Sequence, residues 1–511
     1  MLLLAGLGLR LGQDRAALRK IHEIRVLETA REMVAAGDLV VPRFLGAPRL
    51  EKPPLPYWST APLLAAGAAP SEQRMRWILA PLLLILVGSV ASLGATLHDA
   101  RHGRRAAVVA AASFLAMGEY GKVTPDAFLA AFCALSAAGA AAAARAPGRR
   151  AVAGFAIAVL GAALALLSKG PIALLWCGLA AAVLIPRARD EGAPSPRRGR
   201  RALLAAAGVL LALAPLAIWA ALVIDRLPDA AGTWWDELRL HGGGGEKDTH
   251  GPLTYLGAVL VASAPHTLAF LAAAFARTGG ARRERIWLGA GLVILLLLSS
   301  KKTAYFLPLL PPVSLLAARG LDATGRIAGR LAAANAGLVG VGALAAGPVL
   351  AAFLFRFAGE TPPAAGEIAA SAILGAAGLL AATLLWRGRR DPARRAGAVL
   401  LAGLVVGATF GGADRLREHD RHALERRALG RAARAELARG GGFFTLATPD
   451  DVVAFHADAL PRPIATPAEL PPEGAVLLIA PRDDSPPTGF VRVGEVEMRG
   501  RDGRRLALLR R

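Results

Sequence analysis

Apolar runs close to the length of a bilayer span fill most of the chain, and the polar positions are confined between them. The runs are Trp77–Leu97, Arg105–Gly118, Ala127–Ala144, Ala151–Leu167, Pro171–Ile185, Ala202–Ile224, Pro252–Phe275, Ile286–Leu298, Ala304–Ala318, Leu331–Phe357, Glu367–Trp386 and Ala396–Gly411. A hydrocarbon core about 30 Å thick selects runs of this kind. Met1–Leu11 is too short to span and lacks the basic start and small-residue cleavage site of a signal peptide. It reads as the end of a first spanning helix. With it, the pattern predicts an all-α polytopic membrane protein of about 13 transmembrane helices.

Two stretches break this pattern. In Ile21–Ala36, Ile24, Leu27 and Val34 recur at helical spacing while Arg25, Glu28 and Glu32 share another face, which predicts an amphipathic helix. Gly37 ends it, and Asp38–Phe44 reads as extended. Pro53, Pro54 and Pro56 then stiffen the approach to a short interfacial helix ending near Gly67, with Tyr57 and Trp58 suited to the headgroup level. After Gly411 the composition turns polar. Asp414–Arg439 predicts an exposed helix, Phe443–Ala447 a strand, Val452–Ala457 a helix, and Ala475–Ile479 and Leu506–Leu509 further strands. The expected organisation is a transmembrane domain over residues 1–413, with a first outer loop at 12–72, and a small α/β domain outside the membrane at 414–511. That tail carries no nucleotide or metal motif and reads as a cap.

The formal charge of +22 on 511 residues suggests a nucleic-acid partner only until its distribution is read. The arginines sit between apolar runs, without interleaved stacking aromatics, so no nucleic-acid partner is expected. Arg101, Arg104 and Arg105, Arg149 and Arg150, Arg282, Arg283 and Arg285, and Arg387, Arg389 and Arg390 fall in alternate loops, which marks those loops as cytoplasmic. The first loop and the tail then face outward, placing the chain in the cytoplasmic (inner) membrane with its polar loops on the periplasmic side. Cys133 and Cys177 lie inside apolar runs and read as small hydrophobes.

The polar residues able to do chemistry gather in the outward loops. They are Glu23, Arg25, Glu51 and Lys52; Lys122 and Asp126; Lys169 in Ser168-Lys-Gly-Pro; Arg239, His241, Glu246, Asp248 and His250; and Lys301 and Tyr305. Carboxylates, lysines and a histidine at one membrane level suit a reaction that releases a phosphate. Lysines, or a metal held by Glu and His, would neutralise the leaving group while a carboxylate accepts a proton from the acceptor. Singly, each has a plainer explanation. Lys169 and Lys301 could be helix-end lysines reaching the interface, and Asp126 after Pro125 a helix cap. Gly242–Gly245 lacks the strand-to-helix setting and Lys-Ser/Thr ending of a phosphate loop. His98 and His102 fall on the opposite side.

In order, the motifs say more. Arg25-x-x-Glu28-x-x-Arg31-Glu32-Met33, Gly37-Asp38-x-x-Val41-Pro42-Arg43 and Glu51-Lys52-Pro53-Pro54-Leu55-x-Tyr57-Trp58 resemble the first outer loop of the lipid A aminoarabinose transferases. These belong to the broader protein mannosyltransferase-like group of integral-membrane glycosyltransferases, of GT-C type. Thr124-Pro125-Asp126, Ser168-Lys169-Gly170-Pro171, His250-Gly251-Pro252 and Ser299-Ser300-Lys301 with Tyr305 and Pro308 resemble its later signatures, in the same order. The resemblance implies transfer of a sugar from a polyprenyl-phosphate carrier to a lipid such as lipid A, a glycan or a protein. It implies a divalent metal, zinc or similar, on Glu51 and His250, and no other cofactor. Lys52, Lys301 and Tyr305 match positions around a phosphate, with Arg25, Tyr57 and Lys169 as further binding candidates. Asp126 matches the second acidic position.

The chain departs from the family at the start of the first-loop helix, where Asp-Glu-x-Arg-Tyr is replaced by His22-Glu23-Ile24-Arg25-Val26. One residue along a helix turns a side chain by about 100°, so Glu23 does not simply replace the missing carboxylate. The catalytic candidates are Asp126, Glu23 and Lys52. The alternative is a degenerate relative that binds the lipid carrier without turnover.

Overall fold

The structure is a computed structural model describing residues 2–11, 18, 21–65, 69–185, 198–239, 251, 253–275, 279–298, 300–323, 326–356, 363–388, 391–417, 421–446, 449–471, 475–479, 489–497 and 505–511. It forms two compact units. The first comprises Met1–Gly12, Glu51–Leu55 and Leu79–Arg417; the second comprises Gln13–Leu50, Pro56–Ile78 and Glu418–Arg511. Most of the first outer loop therefore folds with the tail, whereas the short Glu51–Leu55 segment folds with the helical body.

Among the described residues, seven helices are long and apolar enough to cross a membrane. They are Glu72–Leu97, Pro125–Arg145, Gly148–Lys169, Leu203–Arg226, Arg326–Phe355, Ala365–Arg387 and Arg394–Leu416. Leu253–Ser263 and Thr267–Ala274 pass together but bend by 110° at the break between them. Fewer helices than apolar runs qualify because several runs are divided. Arg105–Gly118 breaks at Ser113 into Ala100–Ala112 and Phe114–Glu119. Ala304–Ala318 begins as the tight 3-10 turn Thr303–Leu309 before the helix Leu310–Gly320. The long helices expose Leu210, Ile218, Ile327, Leu338, Leu379 and Trp386. Apolar surface this extensive is unfavourable in water and fits acyl chains. The chain is a multi-pass membrane protein.

Small residues set the closest packing in the helical unit. Pro125–Arg145 and Gly148–Lys169 run back to back through the turn at Ala146 and Pro147. A Cβ on Gly161 would come within 2.5 Å of the Ser136 amide nitrogen, and one on Gly154 within 2.5 Å of that of Ala143. Gly139 meets the Ala158 backbone in the same way. Lipid gives helices no hydrophobic reason to associate, so backbone contact through small residues does that work.

In the second unit, the Ile21–Ala36 helix has the predicted bounds. Its charged face is buried rather than solvated. Glu23, Glu28, Arg31 and Glu32 are all nearly inaccessible, and each carries a partner. Glu23 accepts two hydrogen bonds from Arg76, at 2.8 and 2.6 Å. Glu28 accepts two from Arg31, at 2.9 and 2.7 Å. Glu32 accepts from the amides of Leu45 and Gly46 at 2.6 and 2.9 Å. Those amides form the tip of a hairpin between β1 (Arg43–Phe44) and β2 (Ala47–Pro48), where both residues have positive φ. Asp38 caps the preceding turn by accepting from Val40 at 2.9 Å.

The tail adds β3 (Gly442–Thr445), β4 (Arg462–Pro463), β5 (Ala475–Ile479), β6 (Val491–Glu497) and β7 (Arg505–Arg510) in the order β4-β3-β5-β7-β6. β3 is parallel to β4 and β5, while β7 is antiparallel to β5 and β6. One core joins Leu429, Ala433, Val453 and Ala457 of the helices to Phe443, Val476, Leu506 and Leu508 of the sheet. Leu470, Phe490, Ala507 and Leu509 form a second core. Glu72 contributes a buried anchor within this unit, paired with Arg427 at 2.6 Å and His456 at 3.6 Å.

Two outcomes follow from these contacts. Gly161→Leu forces the two back-to-back helices apart and costs about 1–3 kcal/mol, read as a lower thermal midpoint of the detergent-solubilised chain. Burial pushes His456 down to about 4, against attraction by Glu72 and with repulsion from Arg427 and Arg431. The unfolded chain then binds more protons than the folded one as pH falls from about 6.5 to 4, so this histidine's contribution is lost in that window. Burial raises Glu28 to about 7 and acts in the opposite sense, so the comparison with His456→Gln isolates the histidine. The opening free energy of Asp451–Ala457, read from amide exchange after division by the intrinsic rate, should fall between about pH 6.5 and 4 by about 3 kcal/mol more in the parent than in the variant.

Candidate active site

Four of the sequence motifs meet in the helical unit. Asp126 lies in the first turn of Pro125–Arg145, after Thr124 at the cap and Pro125 at the first helical position. Proline there fixes φ at no cost in hydrogen bonds, and a carboxylate favours the positive end of the helix. Lys169 ends the next helix, where a cation is favoured for the opposite reason. The hairpin brings these ends to one level, and the Lys169 ammonium donates to the Asp126 carboxylate. Both side chains keep some access, at 14% for Lys169 and 17% for Asp126. This pair joins two sequence positions that capping and snorkelling explain only separately.

The third element is the turn Thr303–Leu309. It packs on the Pro125–Arg145 helix and puts the Tyr305 ring beneath Lys169, whose Nζ is 4.1 Å from the ring centroid. An ammonium over an aromatic face gains about 0.5–2 kcal/mol, depending on its desolvation. Lys301, four residues before Tyr305, donates to the Leu298 carbonyl at 2.9 Å.

The fourth element is the Glu51–Leu55 segment. Gly170 has φ +75° and ψ −153°, a conformation essentially reserved for glycine. A Cβ there would lie 3.7 Å from the Pro53 ring. The Lys52-Pro53-Pro54 motif thus runs beside the Ser168-Lys169-Gly170-Pro171 turn. Lys52 donates to the Glu51 carbonyl at 2.9 Å.

Glu23, Arg25 and Tyr57 belong to the second compact unit. There Glu23 is committed to Arg76, Tyr57 is buried, and His22 is exposed. His241, Glu246, Asp248 and His250 lie outside the described residues, as does the side chain of Arg239. Glu51 is exposed, and among the described residues no three His, Cys, Asp or Glu side chains gather around a common point. The described residues do not make up a metal site on Glu51.

Sequence reasoning passed over three contributors to the structure. Arg76 neutralises Glu23, but the 53 residues between them hide the pairing. Gly154 and Gly161, seven apart on one helix, carried a visible small-residue stripe. Arg415 sits at the end of an apolar run like an ordinary boundary arginine, yet it is 3% exposed.

The dolichyl-phosphate-mannose-protein mannosyltransferase family matches residues 51–219, a segment that holds Lys52, Asp126 and Lys169. No curated protein matches the sequence. The structure of ArnT from Cupriavidus metallidurans bound to undecaprenyl phosphate superposes with TM-score 0.72 at 20% identity, covering 99% of this chain and 96% of that one. The apo structure of the same protein gives 0.71 at 19% identity, covering 99% and 97%. The chain therefore has the aminoarabinose-transferase-like fold of the GT-C integral-membrane glycosyltransferases.

Proposed function

We propose that this chain transfers a sugar from a polyprenyl-phosphate carrier to a hydroxyl of a lipid, glycan or protein acceptor, at the outer face of the cytoplasmic membrane. The observation that carries this reading is the Asp126–Lys169–Tyr305 centre, with Lys52-Pro53 beside it. A similar fold holding undecaprenyl phosphate in ArnT supports the carrier.

In this reading Asp126 is the general base. It accepts the proton of the acceptor O–H as that oxygen forms its bond to the anomeric carbon of the sugar. The bond from the anomeric carbon to the carrier phosphate oxygen breaks, and its electron pair leaves with the polyprenyl phosphate. Attack opposite the leaving group inverts the anomeric configuration. Lys169 and Tyr305 hold the carboxylate in direction. Lys52 and Lys301 lie on the two segments flanking the pair and supply positive charge for the departing phosphate. Water exclusion strengthens each of these interactions.

A second reading, carrier binding without turnover, rests on His22 and Glu23. The first-loop helix offers an exposed histidine and a carboxylate already neutralised by Arg76. Transfer kinetics separate the two readings. With labelled polyprenyl-phosphate sugar, Asp126→Asn should lower kcat by about 10²–10⁴-fold. Lys52→Ala should cost about 10²–10³-fold. Glu23→Gln should act chiefly on stability. Parent-like transfer by both Asp126→Asn and Lys52→Ala would remove these residues from the reaction.

A further inference from the structure

We infer that Arg415 is a positioning residue for Asp126, acting as a buried clamp on the turn from which the catalytic helix starts. Arg415 ends an apolar stretch, where an arginine ordinarily extends to the membrane surface. Here its side chain turns inward. Nε donates to the Leu11 carbonyl at 2.9 Å and Nη1 to the Met117 carbonyl at 3.3 Å. Both acceptors belong to helix C-terminal ends: Leu11 follows Leu2–Arg10, and Met117 lies in the last turn of Phe114–Glu119. Such carbonyls lie beyond the reach of the helix's own amides and form its negative pole, so a guanidinium both satisfies and neutralises them.

The clamp leads directly to the site. A Cβ on Gly121 would come within 2.6 Å of Arg415 Nη1, so the turn closes directly over the guanidinium and a side chain there would displace it. Next to it, the buried Tyr120 donates its hydroxyl to the Ala127 carbonyl at 3.0 Å, tying the turn to the first turn of Pro125–Arg145. Asp126 is the residue before Ala127. A second contact joins Phe114–Glu119 to Pro392–Arg417, the helix that carries Arg415, because Phe114 stacks on Phe410 with ring centroids 4.1 Å apart and planes 1° apart. The order of constraint is Arg415, the Met117–Gly121 turn, Tyr120, then Asp126. Sequence distance conceals it, since Arg415 and Met117 are 298 residues apart.

The inference depends on the proposed role of Asp126, and its test keeps the two apart. In the full-length chain, Arg415→Gln should lower kcat by about 10-fold or more while the KM for donor changes less than about twofold. Arg415→Lys should recover part of the loss, and Arg415→Gln should add nothing further in an Asp126→Asn background. Amide exchange, which needs no turnover, should accelerate over residues 118–127 in Arg415→Gln and stay unchanged in the Ala365–Arg387 helix. Additive losses in the double variant, or unchanged exchange over 118–127, would overturn the inference. If the parent chain transfers no sugar, the functional reading fails and exchange alone decides the clamp.

Discussion

The contact between Asp126 and Lys169 closes the helical unit at the point where the proposed chemistry is concentrated. It works because two helices pack closely enough for their backbones to touch through Gly139, Gly154 and Gly161. That contact sets opposite helix poles side by side, and each pole favours the charge placed on it. A larger residue in the seam would separate the poles and the pair together. Gly170 then turns the chain away from Lys169 at a conformation other residues avoid, with the Pro53 ring alongside. Packing, backbone geometry and charge therefore converge on one ion pair.

The first outer loop uses its charges differently. Glu23, Glu28 and Glu32 are spent on Arg76, Arg31 and the hairpin amides of Leu45 and Gly46. Buried charges of this kind are costly unless fully paired, and removing one partner strands the other. The short Glu51–Leu55 segment is the part of this loop that folds with the helical unit.

The membrane character and the Ile21–Ala36 helix were legible because each rests on local periodicity. The burial of that helix's charged face was not, because periodicity separates polar from apolar positions without showing what covers them. In the tail, Val491–Glu497 went unread as a strand: its alternation is interrupted by the register shift between Arg492 and Gly494. Short runs such as Arg105–Gly118 counted as spans, although Ser113 accepts from Ala116 and breaks the helix there. Asp126, Lys169 and Tyr305 were visible as candidates from their ordered motifs. Their mutual contact was not, since it depends on the glycine seam and on a turn more than a hundred residues downstream. Arg415 left no local signal at all.

A single-turnover experiment bears most directly on the central claim. The purified chain is placed in vesicles with an acceptor lipid and a polyprenyl-phosphate sugar labelled in both the sugar and the carrier. If the Asp126–Lys169 centre transfers sugar, one polyprenyl phosphate appears for each sugar joined to the acceptor, with inverted anomeric configuration. If the carrier binds and is recovered with its sugar intact, whatever acceptor is offered, the chain holds its lipid without performing the transfer and the account is contradicted.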